Sequence, residues 1–168
     1  DFKVGVLVMK LEYIKSLYFV GIGGIGMSAL ARYFKIMGYN VAGYDKTESP
    51  LTRKMSEEEG FDITYEDSET EIGDVFRDKE HTLVVYTPAV PRENRILSFF
   101  RDNGYGLHKR AEVLGFLSRS KKALCIAGTH GKTTTTTMLA FLLKNSHVGC
   151  SAFLGGISAN YGTNLLID

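Results

Sequence analysis

The chain has 168 residues, 44% of them hydrophobic and 23% charged, with a formal net charge of +1. That length holds one ordinary domain and part of another, and the apolar content supports a buried core, which excludes an intrinsically disordered chain. The near-neutral balance argues against a nucleic-acid or anionic-membrane partner, and no apolar run approaches the roughly 18 residues that span a bilayer.

Residues 1–15 read as a leader and the entry to the first strand. Met9-Lys10-Leu11-Glu12-Tyr13 has the look of a natural start, and Val4–Met9 is too short for a signal-peptide core. A cytoplasmic location is therefore expected. From Ser16 the pattern alternates between apolar runs and helical periodicity. Leu17–Val20 is a buried-strand run, Gly21–Gly26 a glycine turn, and Met27, Leu30, Ala31, Phe34 and Met37 recur at helical spacing up to Gly38. Val41–Tyr44 is a second strand ending at Asp45. Ser49-Pro50 starts a helix that runs through Met55 to Gly60. Phe61, Ile63 and Tyr65 alternate as a short strand, and Thr82–Tyr86 is a β-rich run stopped by Pro88. Arg92–Asn103 is predicted helical, Tyr105–Leu107 extended, and Arg110–Leu117 a short helix.

Ser118–Lys122 is a polar hinge. It divides the chain into a unit at 16–118 and an incomplete second unit at 119–168. Strand–helix repeats with near-continuous apolar strands predict an α/β fold, a doubly wound parallel sheet followed by the first strand, loop and helix of another α/β domain. Cys125 and Cys150 lie in strand-like runs with no C-x-x-C spacing, so reduced, buried thiols are expected.

Gly21-x-Gly23-x-x-Gly26 follows a strand and opens a helix, and Asp45 closes the next strand at the spacing of the Rossmann dinucleotide fingerprint. The motif predicts a diphosphate ligand at the helix start. It does not distinguish NAD from a UDP-sugar, since both offer a pyrophosphate and ribose hydroxyls.

A second glycine turn, Gly128-Thr129-His130-Gly131, follows the apolar stretch Ala123–Ala127, predicted as a strand. It delivers Lys132 and the threonine run Thr133–Thr137 into a helical pattern through Leu143. Turn amides and the helix dipole converge on an anion there, Lys132 supplies charge for the β/γ-phosphates, and the Thr133 hydroxyl suits Mg²⁺. Ile126 stands where the long G-x-x-x-x-G-K-S/T pattern has its first glycine. An ATP site is expected.

The wording G-T-H-G-K-T-T-T-T at Gly128–Thr136 resembles the ATP-binding loop of the Mur ligase family, which departs from the longer pattern in the same way. Tyr18–Ser28 resembles that family's N-terminal domain, whose glycine loop holds the UDP of a sugar nucleotide rather than NAD. Thr87-Pro88-Ala89-Val90 stands where the family has an S-S-A-I/V turn, agreeing at Ala89 and Val90 and departing at Thr87-Pro88. Arg110-Ala111-Glu112-x-Leu114 resembles the helix before the hinge, and Ser151–Ile157 the strand and glycine pair after the ATP-site helix.

The resemblance implies ATP- and Mg²⁺-dependent amide synthesis in peptidoglycan assembly, in the branch that joins L-alanine to UDP-N-acetylmuramate through an acyl phosphate. It implies sugar-nucleotide contacts at Gly21, Ile22, Gly23, Gly24, Ile25, Gly26, Asp45, Thr87 and Ala89. For ATP it implies Gly128, Thr129, His130, Gly131, Lys132, Thr133 and Thr134, with Lys132 catalytic and Thr133 on the metal. His130 would lie near the reacting carboxylate. The remaining metal and alanine groups would lie beyond Asp168, so this portion is expected to bind the nucleotide sugar without completing the reaction. Residues 122–168 are expected to be the less stable part, with an open strand edge. The rival readings are a tripeptide-recycling ligase of the same family, an NAD-binding module and a stand-alone P-loop NTPase.

Overall fold

A computed structural model describes residues 13–119 and 121–168; the expectation of a start at Met9 lies outside the described residues. Five parallel strands, β1 (Ser16–Val20), β2 (Asn40–Tyr44), β3 (Asp62–Thr64), β4 (Thr82–Tyr86) and β5 (Gly106–Lys109), form one sheet in the order β3-β2-β1-β4-β5. Helices α1 (Ile25–Ile36), α2 (Pro50–Glu57) and α3 (Arg95–Asp102) connect them, and α4 (Arg110–Arg119) follows β5.

The two faces of the sheet follow from side-chain alternation along buried strands. Leu17 and Phe19 of β1, with Leu83 and Val85 of β4, pack under Met27, Leu30 and Phe34 of α1, Met55 of α2 and Val113 of α4. Tyr18 and Val20, with Val84, face the other way onto Ile96, Leu97 and Phe100 of α3 and onto Ile72 and Phe76. The last two come from a link holding two short 3₁₀ turns, Glu69–Glu71 and Asp74–Phe76. Every residue of β1 is buried, as expected for a central strand covered on both sides.

Local chemistry sets the helix starts. Ser49 and Thr52 make a reciprocal capping box at α2, with Pro50 in the first turn. The helix read from Arg92 begins at Arg95 instead, because Asn94 caps the Leu97 amide at 2.8 Å and Asp67 accepts from the Arg95 and Ile96 amides at 3.0 and 3.1 Å. The Asp67 contact bridges distant parts of the chain. No local pattern encodes it.

Beyond α4 the expectation needs correction. The stretch 123–127 forms no strand: Leu124 is 67% exposed and Cys125 is exposed rather than buried. A strand needs a neighbour to satisfy its backbone, and among the described residues none lies beside it. What stands there is a loop that leads into α5 (Lys132–Lys144). Cys150 is half-buried, and both thiols are free.

The last stretch is anchored, and among the described residues its two-stranded sheet leaves each strand one unpaired edge. The short strands β6 (Ala152–Phe153) and β7 (Leu165–Leu166) pair antiparallel, and Leu154 and Leu166 pack with Ala140 of α5. Phe153 meets Tyr33 of α1 with ring centroids 5.5 Å apart. Asn164, wholly buried, bonds to Arg32, Ser28 and the Ile25 carbonyl of α1.

Candidate functional site

In an open parallel sheet the crevice for ligands opens where neighbouring strands send their connections to opposite faces. Here that point lies between β1 and β4, which are paired with each other in register. A cleft of about 650 Å³ opens above their ends, walled by the glycine turn after β1, by Tyr44–Lys46 after β2, and by Thr87–Pro91 after β4. Gly21, Gly24, Gly26, Asp45, Thr87 and Ala89 line it; Ile22 is fully buried beneath the turn, and Gly23 and Ile25 are not among the lining residues.

The turn is held from below. Gly21 and Ile22 donate their amides to the Tyr44 carbonyl at 2.7 and 3.0 Å, and Gly23 donates to Asp45 Oδ2 at 2.7 Å. Asp45 Oδ1 also accepts from the Thr47 amide at 3.2 Å. Gly21 sits at φ +89°, where a β-carbon would lie 2.7 Å from Thr87 Cγ2, so both conformation and space require glycine. These amides are therefore committed to the fold. Among the described residues, no acceptor takes the amides of Ile25, Gly26 and Met27, the first turn of α1.

Arg110, which begins α4, reaches this same turn. A β-carbon on Gly26 would lie 2.9 Å from its Nη1 and 3.1 Å from its Cζ. Among the described residues no carboxylate pairs with it, and it lines the cleft. Three free amides, a helix dipole and an unpaired guanidinium together suit a doubly charged diphosphate. Sequence reading used Arg110 only as part of a family likeness and did not place it at the site. Its proximity to Gly26 depends on β5 lying beside β4, which no local signal reveals.

Asp67 lines the cleft too, with both oxygens engaged by α3. Burial, followed by the charges of Asp67 and Asp45, pushes the Tyr44 phenol above its ordinary value, so it is neutral and able to donate.

The second glycine loop leads directly into α5. Gly131 caps α5 in the left-handed region at φ +76°. Lys132 Nζ folds back onto the carbonyls of Gly128 and Thr129, at 2.6 and 3.2 Å. His130, Lys132, Thr133 and Thr134 are all exposed. Thr136 and Thr137 donate to the carbonyls of Lys132 and Thr133 at 2.7 and 2.8 Å, which accounts for part of the threonine run. For Mg²⁺, the Thr133 hydroxyl is a single hard oxygen donor, which fits an ion otherwise held by water and substrate phosphate. Among the described residues no cluster of histidine, cysteine or carboxylate could form a protein-only metal site.

The two loops approach each other through the C-terminal stretch. A second cavity of about 280 Å³ begins at Ile25 and Gly26, passes Arg110 and Leu114, and ends at Phe153–Gly155. Gly155 abuts α5, since a β-carbon there would lie 2.8 Å from Thr133 Oγ1.

The chain belongs to the Mur ligase family: the family model described as "Mur ligase family, catalytic domain" matches residues 16–122. It is 60% identical over 160 residues to the UDP-N-acetylmuramate–L-alanine ligase of Phocaeicola vulgatus, an alignment covering 95% of this chain and 35% of that protein. Among solved structures it is similar to the UDP-N-acetylmuramate–alanine ligase of Thermotoga maritima, at 34% identity and a TM-score of 0.79, over 89% of this chain and 34% of the other. It is also similar to the UDP-N-acetylmuramate:L-alanyl-γ-D-glutamyl-meso-diaminopimelate ligase of Neisseria meningitides, at 27% identity and a TM-score of 0.78, over 90% and 46% of the two chains. The chain thus spans about a third of the length of the curated relatives it matches. Among the described residues no helix is long and apolar enough to cross a membrane.

Proposed function

We propose that the chain is the sugar-nucleotide-binding portion of a cytoplasmic ligase that joins L-alanine to UDP-N-acetylmuramate at the expense of ATP, in peptidoglycan synthesis. The observation that carries this reading is the cleft between β1 and β4, where Gly26 and Met27, whose amides are free, line the same space as the unpaired Arg110. The diphosphate of the nucleotide sugar lies across those groups, with Asp45 and Tyr44 on the ribose side and Thr87 and Ala89 along the opposite wall. Among solved structures the identity is 34% to an alanine ligase against 27% to a tripeptide ligase, which favours alanine as the incoming amine.

In the ligase reaction the lactyl carboxylate attacks the γ-phosphorus of ATP, ADP departs, and an acyl phosphate forms. The alanine nitrogen then attacks the acyl carbon, phosphate leaves with the bonding pair, and the ammonium proton passes to solvent. Phosphoryl transfer of this kind depends mainly on positioning and charge neutralisation. Lys132 leaves its resting contacts with Gly128 and Thr129 and takes the β/γ-phosphates. The amides at the start of α5 and the Thr134 hydroxyl hold the β-phosphate, and His130 lies beside the carboxylate. Thr133 would hold Mg²⁺, which when bound supplies further neutralisation of the triphosphate. Residues 119–168 form the incomplete opening of the ATP-binding domain, with the boundary at the polar hinge.

Calorimetric titration of the chain with UDP-N-acetylmuramate, Mg-ATP and NAD tests the reading. Binding of the nucleotide sugar without NAD is expected; binding of NAD without the nucleotide sugar overturns it.

A further inference from the structure

Asn164 is wholly buried, yet it lies far along the chain from everything it bonds. Its Oδ1 accepts from Arg32 Nη1 at 2.5 Å, while its Nδ2 donates to the Ile25 carbonyl at 2.7 Å and to Ser28 Oγ at 2.9 Å. Only this orientation of the amide satisfies both sides, because a guanidinium only donates and a carbonyl only accepts. Arg32, itself only 7% exposed, is gripped by the Glu59 carboxylate through Nε and Nη2, at 2.7 and 2.6 Å.

Arg32 donates both to Glu59 and to Asn164, so the series that runs toward Ile25 starts at Arg32. The Glu59 carboxylate orients Arg32, Arg32 withdraws electron density from the Asn164 carbonyl, and the Asn164 amide hydrogens become stronger donors to Ile25. Hydrogen bonds in series polarise one another, more so where water is excluded. The Ile25 carbonyl and the Gly26 N–H are opposite ends of one planar peptide unit. A donor on that carbonyl therefore makes the Gly26 amide hydrogen more positive and fixes the direction in which it points.

We propose that Asn164 is a positioning residue for the diphosphate, acting through the Ile25–Gly26 peptide at the end of a polarised relay that begins at Arg32. The relay rests on the diphosphate reading above. It gives the C-terminal stretch a role in the first domain's anion site: docking that stretch on α1 tunes the donor that meets the phosphate. By linkage, a diphosphate on Gly26 tightens the docking in return.

The test uses the 168-residue chain labelled with ¹⁵N. Asn164→Asp keeps an acceptor for Arg32 and removes the amide donor to Ile25, whose carbonyl retains the Ser28 hydroxyl at 3.0 Å. In the ligand-free protein its Gly26 amide proton is expected to move upfield, and UDP affinity by calorimetry to fall about two- to threefold, a fraction of the worth of one charge-assisted hydrogen bond. Glu59→Gln keeps an acceptor for Arg32 and removes the charge that offsets the guanidinium; a smaller change in the opposite direction, downfield, is expected. If Asn164→Asp undocks the C-terminal stretch, Glu59→Gln decides alone. An unmoved Gly26 resonance with unchanged UDP affinity in a folded variant overturns the proposal, since a merely structural network leaves both where they were. If the wild-type chain fails to bind UDP, the diphosphate reading falls, and the Gly26 shift still decides the relay.

Discussion

The guanidinium of Arg110 lies so close to Gly26 that a β-carbon on that glycine would stand 2.9 Å from Nη1. A residue that opens α4 thereby joins the proposed anion site at the start of α1, and glycine is required to leave it room. Arg110→Met is expected to weaken UDP-N-acetylmuramate binding at least about tenfold, in keeping with loss of a charge-assisted contact, and to flatten its salt dependence. Arg110→Lys restores only part of the affinity, because an ammonium does not reproduce the planar fork. Titrations at low and high salt check both.

Asp45 supports the turn through the Gly23 amide at 2.7 Å. Asp45→Ala leaves that partly buried donor without its partner, at a cost of about 1–3 kcal/mol. Asp45→Asn keeps an acceptor in place. Thermal unfolding should therefore show a lower midpoint for the alanine variant and a near-native one for asparagine.

Lys132 rests on the carbonyls of Gly128 and Thr129 and must leave them to meet a triphosphate. Lys132→Met is expected to abolish Mg-ATP binding while the nucleotide-sugar titration stays unchanged, because the two loops use separate donors. Parallel titrations with the two ligands check it. Loss of both would show that the loops are not independent.

Alkaline pH should destabilise the fold. Burial, then Asp62 and Glu71, raises the Tyr18 phenol above its ordinary value of 10.0. Burial, then Asp67 and Asp45, raises Tyr44 in the same way. In the unfolded chain these phenols lose their protons first. Their contribution is therefore complete below about pH 10 and declines as pH rises toward the folded-state values. Urea midpoints measured from neutral to alkaline pH should fall on that limb, and Tyr18→Phe with Tyr44→Phe should flatten it.

Hydrogen exchange should divide residues 121–168 into two classes. The Leu154 amide donates to the Asn164 carbonyl at 2.8 Å and is buried against α5, so slow exchange is expected there. Amides of 123–127, in an exposed stretch without a ladder, should exchange rapidly. Equal protection across both stretches would contradict this division.

Several features were legible from the amino-acid order because their causes are local. Buried-strand runs, the capping serine and proline at 49–50, and glycines at fixed offsets after a strand all act over a few residues, and they placed β1, β2, β4, α1 and α2 closely. The stretch 123–127 read as a strand for the same local reason and is not one, since apolar character cannot supply the neighbour that a ladder needs. What only the tertiary structure decided depends on contacts between distant residues. Arg110 meets Gly26 because β5 lies beside β4; Asp67 sets the start of α3 from across a loop; and Asn164 reaches Ile25 because the C-terminal stretch folds back onto α1. Spacing along the chain records a glycine turn that opens a helix. Which amides remain free, and which cation stands over them, is settled by hydrogen bonds that close only when the sheet is assembled.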